Sequence, residues 1–255
     1  MVTAELFAVR GKVALVTGGT SGIGLMIARG LIDNGVKTYI VGRSPESCAA
    51  TAAQLGKSGT CLALPGDLSS SSGIQAVADA LKGKEKLLHI LVNNAGAMYE
   101  APIDEFSEAG WDDVADLNLK SVFFLTQKLL PLLRAAATAE SPASVINVGS
   151  IGGLRVGPKE NYSYQASKAG LHHLTGSLAK RLGPEHITVN ALAPGFFPSR
   201  VTQIPEAALP QILAAVPRRR VGQPEDMVGA VIYLASRAGA FVTGAVIPIS
   251  GGLML

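Results

Sequence analysis

The segment from residue 12 to residue 35 places a strand pattern, a glycine-rich turn and a helix pattern one after another. The run KVALVT is short and β-branched, which is typical of a strand buried on both faces, and LMIARGLIDNG has the apolar spacing of a helix. Between them lies the turn TGGTSGIG, where Gly18 permits a tight turn, Gly22 lets backbone approach a phosphate, and Gly24 lets the helix pack close to the sheet. Glycine-rich turns also occur without a ligand, but this context predicts a dinucleotide site with the pyrophosphate at the helix N-terminus.

The rest of the chain alternates between strand and helix patterns. This alternation predicts one parallel sheet with helices on both faces, and no linker, composition break or internal repeat divides the 255 residues. We therefore expect a single α/β domain over residues 1–255, with about seven strands. The strands predicted after the first are Val36–Val41, Thr60–Pro65, Leu87–Val92, Ser144–Val148, Ile187–Ala191 and Ala245–Ile249. The helices predicted after the first are Pro45–Lys57, Ser69–Lys82, Trp111–Ala137 (tilted or kinked near Pro131), Tyr162–Lys180 and Pro224–Ser236.

Composition and charge exclude several classes of protein. Hydrophobic residues make up 48% of the chain and charged residues 16%, which suits a globular domain with a sizeable core. The formal net charge is only +3, and the cations are scattered except at residues 218–220, where three arginines fit a solvated loop or a phosphate contact better than a nucleic-acid surface. Cys48 and Cys61 lack metal-ligand spacing, so we expect no metal, no nucleic-acid partner and a reducing compartment.

The two ends of the chain carry no targeting signal that we recognise. The N-terminal MVTAELFAVRGK lacks the basic-then-apolar layout of a signal peptide, and no apolar run reaches the ~18 residues of a membrane span. The C-terminal GGLML is not an S-K-L-type peroxisomal address. We therefore expect a cytoplasmic protein with no membrane partner.

Residues that follow the predicted strands are candidate cofactor contacts. After the second strand, where a dinucleotide fold places a carboxylate for a ribose 2′-hydroxyl or a cation for a 2′-phosphate, stands Arg43. Arg43 favours NADP over NAD unless it is a plain surface residue. Asp67 follows the third strand and could either contact the adenine amino group or cap the next helix. The fourth strand ends at NNAG, which fits a sharp turn beside a ligand and also fits a simple turn.

Tyr164 and Lys168 lie four residues apart in the helical pattern YSYQASKAGLHHLTGSLAK, so they are neighbours on one helix face. A phenol has an ordinary pKa near ~10, and an adjacent ammonium favours its phenolate, so Tyr164 could exchange a proton with a carbonyl or alcohol oxygen. Taken alone, a Tyr and a Lys at this spacing are more often an exposed pair. Ser150 follows the fifth strand, and Asn118 lies inside a predicted helix, where its amide needs partners if it is buried.

With these residues placed, the chain resembles a classical short-chain dehydrogenase/reductase built on a single Rossmann-like, doubly wound domain. The resemblance runs from Lys12 to Gly252: TGGTSGIG, Asp67-Leu68, NNAG, the tetrad, PGFFPSR, RRRVGQPEDM and TGAVIPISGG occur in the family's order. It implies a catalytic tetrad of Asn118, Ser150, Tyr164 and Lys168. The cofactor contacts it implies are Gly18, Thr20, Ser21, Gly22, Ile23, Gly24, Arg43, Asp67, Leu68, Asn94, Ala95, Gly96, Tyr164, Lys168, Pro194, Gly195 and Phe197.

The resemblance also implies roles for the tetrad. Tyr164 would protonate the carbonyl oxygen as hydride arrives from nicotinamide, and Lys168 would hold the nicotinamide ribose and favour the phenolate. Ser150 would hydrogen-bond the substrate oxygen, and Asn118 would position a water molecule that links Lys168 to solvent.

Four departures from the family pattern are present. The interval from Ser150 to Tyr164 is about one residue longer than the family's commonest spacing. Tyr162 lies close to Tyr164, but the residue four positions after it is Ala166 rather than a lysine. Gly149 precedes Ser150 where many relatives have a second serine. Thr20 and Ser21 stand where relatives that prefer NADP often carry a basic side chain, so the NADP prediction depends mainly on Arg43.

Within the family, the segments LLPLLRAAATAESPA to NVGS and GAVIPISGG resemble 3-oxoacyl-[acyl-carrier-protein] reductases of the rhamnolipid-type branch. This resemblance implies an NADPH-dependent ketoreductase acting on β-ketoacyl thioesters. If the substrate is carried by an acyl carrier protein, the candidate docking residues are Arg155, Lys159 and the arginines at 218–220. A free small ketone, sugar or steroid is the alternative substrate, and a dinucleotide sensor without catalysis is a third hypothesis. We also expect a substrate lid at about 196–217. A homotetramer or homodimer, paired through the helices around Asn118 and Tyr164, is implied by the family.

Overall fold

The computed structural model describes residues 2–198 and 206–255. In this part of the chain seven strands form one parallel sheet in the order β3-β2-β1-β4-β5-β6-β7. The strands are β1 Val13–Thr17, β2 Lys37–Gly42, β3 Cys61–Pro65, β4 Ile90–Asn93, β5 Ala143–Val148, β6 Ile187–Pro194 and β7 Val246–Ile249. The predicted α/β fold with about seven parallel strands is confirmed.

The helices cover both faces of the sheet. They are α1 Thr3–Leu6, α2 Gly22–Asp33, α3 Pro45–Leu55, α4 Ser71–Lys82, α5 Glu108–Ala115, α6 Ser121–Ala136, α7 Tyr162–Leu182, α8 Leu209–Ala215 and α9 Pro224–Ala235. Successive residues of β1 point to opposite faces, because Leu15 packs with apolar residues of α4, α6 and α7, whereas Ala14 and Val16 pack with those of α2, α3 and α9. The sheet is therefore buried on both faces, as its nearly continuous apolar strands require.

The strand order places a crevice at the carboxyl ends of β1 and β4. From β1 the chain winds outward to β2 and β3, and then returns to place β4 on the other side of β1. Ligands of doubly wound sheets bind at such a reversal of strand order. The glycine turn after β1 and the NNAG segment after β4 consequently face each other at this point.

The long helix predicted over 111–137 differs from the structure. It consists of α5, a π-helical turn at Asp116–Lys120, and α6, with Pro131 inside α6. The departure from α-helical hydrogen bonding thus falls at Asn118, well before Pro131. A π-helical turn inside a helix is frequent at functional sites, and residue spacing does not predict it.

Smaller differences concern the ends of elements. β4 begins at Ile90 rather than Leu87, and β6 continues to Pro194 rather than ending at Ala191. His89, just before β4, accepts a hydrogen bond from the Val13 amide through Nδ1 at 3.0 Å. The proposed lid at 196–217 includes α8, and its residues 199–205 lie outside the described part of the chain.

Candidate active site

The glycine-rich turn after β1 has a backbone that only glycine fits. Gly18 and Gly22 have φ angles of +64° and +54°, in the left-handed region that favours glycine. A Cβ on Gly18 would lie 2.9 Å from Asn94 Nδ2, and one on Gly24 would lie 2.3 Å from the Gly18 carbonyl oxygen. The N-cap of α2, Ser21, makes no side-chain capping bond, so the first amides of that helix are left for another acceptor. These features fit the pyrophosphate of a dinucleotide.

Asn94 and Thr17 hold the glycine turn against the end of β4. Asn94 Nδ2 donates to the Thr17 carbonyl at 2.8 Å, and Thr17 Oγ1 accepts from the amides of Asn94 and Ala95, both at 2.9 Å. The sequence had indicated Asn94 and Ala95 but not Thr17. Its only signal was a polar residue at the last position of an apolar strand.

The carboxyl ends of β2 and β3 bring Arg43 and Asp67 near each other. The turn also reaches this place, because a Cβ on Gly42 would lie 3.0 Å from Thr20 Cγ2. Asp67 Oδ1 accepts from the Ser69 amide and hydroxyl at 3.0 and 2.8 Å. These bonds, and to a smaller extent the charge of Arg43, lower the pKa of Asp67.

Asp67 does not cap α4, because the N-cap is Ser70, whose Oγ accepts from the Gly73 amide at 3.1 Å. Of the two interpretations that the sequence left open for Asp67, the helix cap is therefore wrong. Arg43 is exposed, and Leu68 is buried in the core beside Asp67.

Ser150, Tyr164 and Lys168 meet where β5 ends against α7. Ser150 Oγ accepts from the Gly152 amide at 3.0 Å, which leaves its proton available to another acceptor. Lys168 is buried, its Nζ donates to the Val148 carbonyl at 2.8 Å, and it lies 5.7 Å from the centre of the Tyr164 ring. The structure therefore brings together three of the four predicted tetrad side chains at the wall of one cavity.

The titration of this pair differs from the sequence-based expectation. Burial raises the pKa of Tyr164, and a hydrogen bond with Ser150 opposes that rise. Burial lowers the pKa of Lys168 to about 8. We expected the ammonium to favour the phenolate, but burial has the largest influence on the Tyr164 pKa here and favours the neutral phenol. Tyr164 is consequently a neutral phenol at pH 7, which is the form that can donate a proton.

Asn118 lies in the π-helical turn and is buried, and its side-chain amide makes three hydrogen bonds. Its Nδ2 donates to the Ala97 carbonyl at 2.9 Å and to Ser167 Oγ at 3.1 Å, and its Oδ1 accepts from the Ala97 amide at 2.8 Å. A Cβ on Gly96 would lie 3.1 Å from Asn118 Oδ1 and 3.7 Å from Lys168 Nζ, so the two side chains flank Gly96. Asn118 thereby fixes the segment after β4 against the helix that carries the tyrosine and the lysine.

Tyr162 points away from this cluster. Its hydroxyl donates to the Glu160 carboxylate at 2.7 Å, and its ring packs edge to face against Phe106. Tyr162 is thus held by a surface contact, whereas Tyr164 faces the cavity. The preference for Tyr164 in the sequence agrees with this placement.

One cavity of about 680 Å³ joins these groups. Its walls include the glycine turn, the NAG segment after β4, the cluster at the end of β5, and Pro194-Gly195 after β6. Met98, Ile151, Phe196 and Ile212 make another part of the wall apolar, and Arg155 stands at its edge. The cavity can therefore hold a long ligand beside the phenol of Tyr164.

Comparison with known proteins agrees with this geometry. A family model described as Enoyl-(Acyl carrier protein) reductase, one of the short-chain dehydrogenase/reductase models, matches residues 18–254. The chain belongs to the short-chain dehydrogenase/reductase family. It is 49% identical over 253 residues to the rhamnolipids biosynthesis 3-oxoacyl-[acyl-carrier-protein] reductase of Pseudomonas aeruginosa, covering 98% of each chain. It is 37% identical over 254 residues to the 2-dehydro-3-deoxy-D-gluconate 5-dehydrogenase of Escherichia coli, covering 96% of each.

A solved structure, the Pseudomonas aeruginosa RhlG/NADP active-site complex, is 48% identical and superposes with a TM-score of 0.95 over 98% of this chain and 99% of the other. As a member of this family, the protein is an oxidoreductase. Among the described residues, no helix combines the length and the apolar character needed to cross a membrane.

In this short-chain dehydrogenase/reductase, Phe197 departs from its predicted place. Its ring is buried in the core, and a Cβ on Gly222 would lie 2.3 Å from its Cζ. Phe196, the preceding residue, lines the cavity instead. Two consecutive phenylalanines after Pro194-Gly195 give the sequence no means of deciding which ring turns inward.

The basic residues suggested for docking also have defined places. Lys159 pairs with Glu100 at 2.8 Å, and Arg220 pairs with Asp226 at 2.5 Å. Arg219 donates to the carbonyls of the α8 end, so two of the three consecutive arginines make local contacts. Arg155 and Lys159 both line the cavity, but Lys159 is already paired with Glu100.

Proposed function

We propose that this oxidoreductase uses NADPH to reduce the ketone of a β-ketoacyl thioester to a secondary alcohol. The observation that carries the proposal is the shared cavity, in which the dinucleotide residues after β1 and β4 lie beside Ser150, Tyr164 and Lys168. A site built only to sense a dinucleotide would not need the buried lysine and the phenol together.

The residues of the chain supply orientation and proton transfer. When bound, the nicotinamide supplies the hydride. Ser150 donates its hydroxyl proton to the ketone oxygen, and Tyr164 transfers its phenolic proton to that oxygen as negative charge develops there. Lys168 holds the nicotinamide ribose, and its ammonium stabilises the phenolate that Tyr164 becomes. Lys168 is buried, which keeps water from competing for its bonds.

Asn118 contributes to this chemistry by holding other parts of the site in place. Its bonds to Ala97 and Ser167 join the segment after β4 to α7, so the wall that faces nicotinamide stays in register with Tyr164. In the π-helical turn Asn118 is the buried residue, while Asp116 and Lys120 form an exposed ion pair on the other side. The water-relay role implied by the family resemblance is part of the proposal.

Preference for NADP is assigned to Arg43. It follows β2 directly, beside Thr20 of the glycine turn and near Asp67, where the adenosine ribose of a dinucleotide lies in a doubly wound fold. A guanidinium can bind a 2′-phosphate in a bidentate manner, whereas Thr20 and Ser21 carry no charge. The similar Pseudomonas aeruginosa structure is an NADP complex, which supports this assignment.

An acyl thioester is the substrate class that the cavity supports best. Its apolar wall of Met98, Ile151, Phe196 and Ile212 suits an acyl chain, and the relative with 49% identity is a 3-oxoacyl-[acyl-carrier-protein] reductase. Arg155 at the edge could meet an acidic carrier protein. The second candidate is a polar free ketone such as a sugar acid, because the Escherichia coli relative is named 2-dehydro-3-deoxy-D-gluconate 5-dehydrogenase.

The test is NADPH oxidation, compared with NADH, against a panel of substrates. The panel holds a β-ketoacyl thioester, the matching enoyl thioester, a β-keto ester and a keto sugar acid. The proposal requires the β-ketoacyl thioester to be turned over fastest, and with NADPH. Turnover of the sugar acid alone would move the protein to the second candidate. Turnover of the enoyl thioester alone would overturn ketone reduction.

The assembly and the compartment are part of the same proposal. We propose a homotetramer or homodimer in the cytoplasm, with α5, α6 and α7 at the interface. Trp111 and Phe124 on these helices remain 43% and 37% exposed, which favours a partner surface there. Cys48 and Cys61 are free thiols, as a reducing compartment favours. Sedimentation velocity with and without NADPH measures the assembly directly.

A further inference from the structure

The buried histidine His172 has no part in the chemistry above, yet it contacts the segment that carries Ser150. It lies on α7 one turn after Lys168, and its Nε2 accepts a hydrogen bond from the Ser150 amide at 3.4 Å. Burial first, and then the charge of Lys168, lowers its pKa. The ring is therefore neutral at pH 7, with Nε2 able to accept.

The same ring fills the space beside Gly149. A Cβ at that position would lie 2.1 Å from His172 Nε2 and 2.7 Å from Cδ2. The segment approaches α7 equally closely at Gly153, where a Cβ would lie 2.6 Å from the Lys168 carbonyl carbon. Close contact with α7 therefore sets the path of residues 149–153, and His172 supports the start of this path from the helix.

Ser150 is thus held to α7 from two sides. Before it, the Val148 carbonyl accepts from Lys168 Nζ at 2.8 Å, and at Ser150 itself the amide donates to His172. Tyr164 is on the same helix. The relative position of the Ser150 and Tyr164 hydroxyls depends on both links, because α7 carries one hydroxyl and the linked segment carries the other.

We propose that His172 is a positioning residue for ketone reduction, and that Gly149 and His172 form an interdependent pair. The imidazole fixes the Ser150 main chain so that its hydroxyl meets the same substrate oxygen as Tyr164. A side chain at position 149 is accommodated only when residue 172 is small. The catalytic half of this inference rests on the proposed ketoreductase function, whereas the pairing does not.

The catalytic half is tested with two substitutions at one position. His172→Leu keeps most of the volume and removes the acceptor, and His172→Gln keeps an acceptor. We expect kcat of the Leu variant to fall about fivefold, the rate equivalent of one average hydrogen bond of about 1 kcal/mol, with KM and NADPH affinity unchanged. The Gln variant should recover much of that loss. His173→Leu, at the exposed histidine next to it, is the matched control and should keep wild-type kcat.

The pairing is tested without any activity. Thermal unfolding is measured for Gly149→Ser, His172→Ala and the double variant. Gly149→Ser alone should lower the unfolding temperature, and its effect should be much smaller in the His172→Ala background, because the small residue removes the contact.

Two results would overturn the inference. Wild-type kcat in His172→Leu, or equal losses in the Leu and Gln variants, would exclude a positioning role for the acceptor. Additive changes in unfolding temperature would exclude the pairing. If the wild type turned over no ketone, the proposed function would fail in that same assay, and the unfolding cycle would still decide the pairing.

Discussion

Replacing Lys168 by methionine tests how much the buried ammonium of Lys168 lowers the free energy of unfolding. Burial lowers the pKa of Lys168 from 10.5 to about 8. At about 1.4 kcal/mol for each pKa unit, this difference means that the buried ammonium destabilises the fold by roughly 3 kcal/mol at pH 7, relative to a neutral amine in the same place. Methionine has a similar length and no charge.

The sign of the pH dependence follows from the same difference. Below pH 8 the lysine is protonated in both the folded and the unfolded chain. Between about pH 8 and 10.5 the unfolded chain holds a proton that the folded one has lost, so wild-type stability gains from rising pH there. Lys168→Met lacks this contribution, and it also lacks the hydrogen bond to Val148, worth about 1 kcal/mol for a neutral donor.

We therefore expect Lys168→Met to be more stable than wild type by about 2 kcal/mol at pH 7 and slightly less stable near pH 10.5. Urea unfolding without dinucleotide, in pH steps from 7 to about 10.5, measures the difference. Lys180→Met, an exposed lysine on the same helix, is the control and should show no such trend. A variant that is less stable at pH 7, or a difference that does not change with pH, would refute the reasoning. In either case the variant should not reduce the ketone.

Two further predictions concern the cofactor and the partner. Arg43→Asp should lower the ratio of kcat/KM with NADPH to kcat/KM with NADH by roughly 10- to 100-fold, because one charge-assisted contact is lost. The control Arg29→Asp, at an exposed arginine, should leave the ratio unchanged. An unchanged ratio in Arg43→Asp would mean that other residues bind the 2′-phosphate. Arg155→Glu should raise KM several-fold for a carrier-protein-bound β-ketoacyl substrate but not for a short free thioester, as steady-state kinetics with both will show. Equal changes for both substrates would mean that Arg155 contacts the acyl group rather than the carrier.

Much of the fold could be predicted because its signals are local. Each strand is a short apolar run, and the turn glycines at 18 and 22 occupy backbone conformations that few other residues adopt. The spacing of Tyr164 and Lys168 fixes their common helix face, whatever surrounds them. These features depend on neighbours in sequence, so the sequence shows them directly.

The features that could not be predicted depend on contacts distant in sequence. The sequence predicts that Asn118 needs hydrogen-bond partners if it is buried. It does not show that Ala97 and Ser167 are those partners, or that a π-helical turn carries Asn118 to them, because both depend on packing. Phe197, rather than Phe196, packs in the core, because its ring occupies the space beside Gly222, which has no side chain. The raised pKa of Tyr164 results from burial by several segments, so it cannot be predicted from the spacing of residues in the sequence.

A buried polar network beneath the site illustrates the same point. Asn93 Nδ2 donates to Asn147 Oδ1 at 2.9 Å, and Asn147 Nδ2 donates to Thr175 Oγ1 at 2.9 Å. These bonds join β4, β5 and α7 just below the catalytic cluster. In the sequence, the three residues are separate polar positions in apolar patterns, and only the parallel order of the strands reveals that they meet.

The most direct test of the central claim compares Tyr164→Phe with Tyr162→Phe in the NADPH oxidation assay. Each substitution removes one hydroxyl, but Tyr164 faces the cavity, whereas Tyr162 bonds Glu160 at the surface. Loss of the proton donor should lower kcat of Tyr164→Phe by at least about 10²-fold with NADPH affinity unchanged, while Tyr162→Phe keeps wild-type turnover. Wild-type turnover in Tyr164→Phe, or its loss in Tyr162→Phe alone, would contradict the assignment of Tyr164 as the group that protonates the ketone.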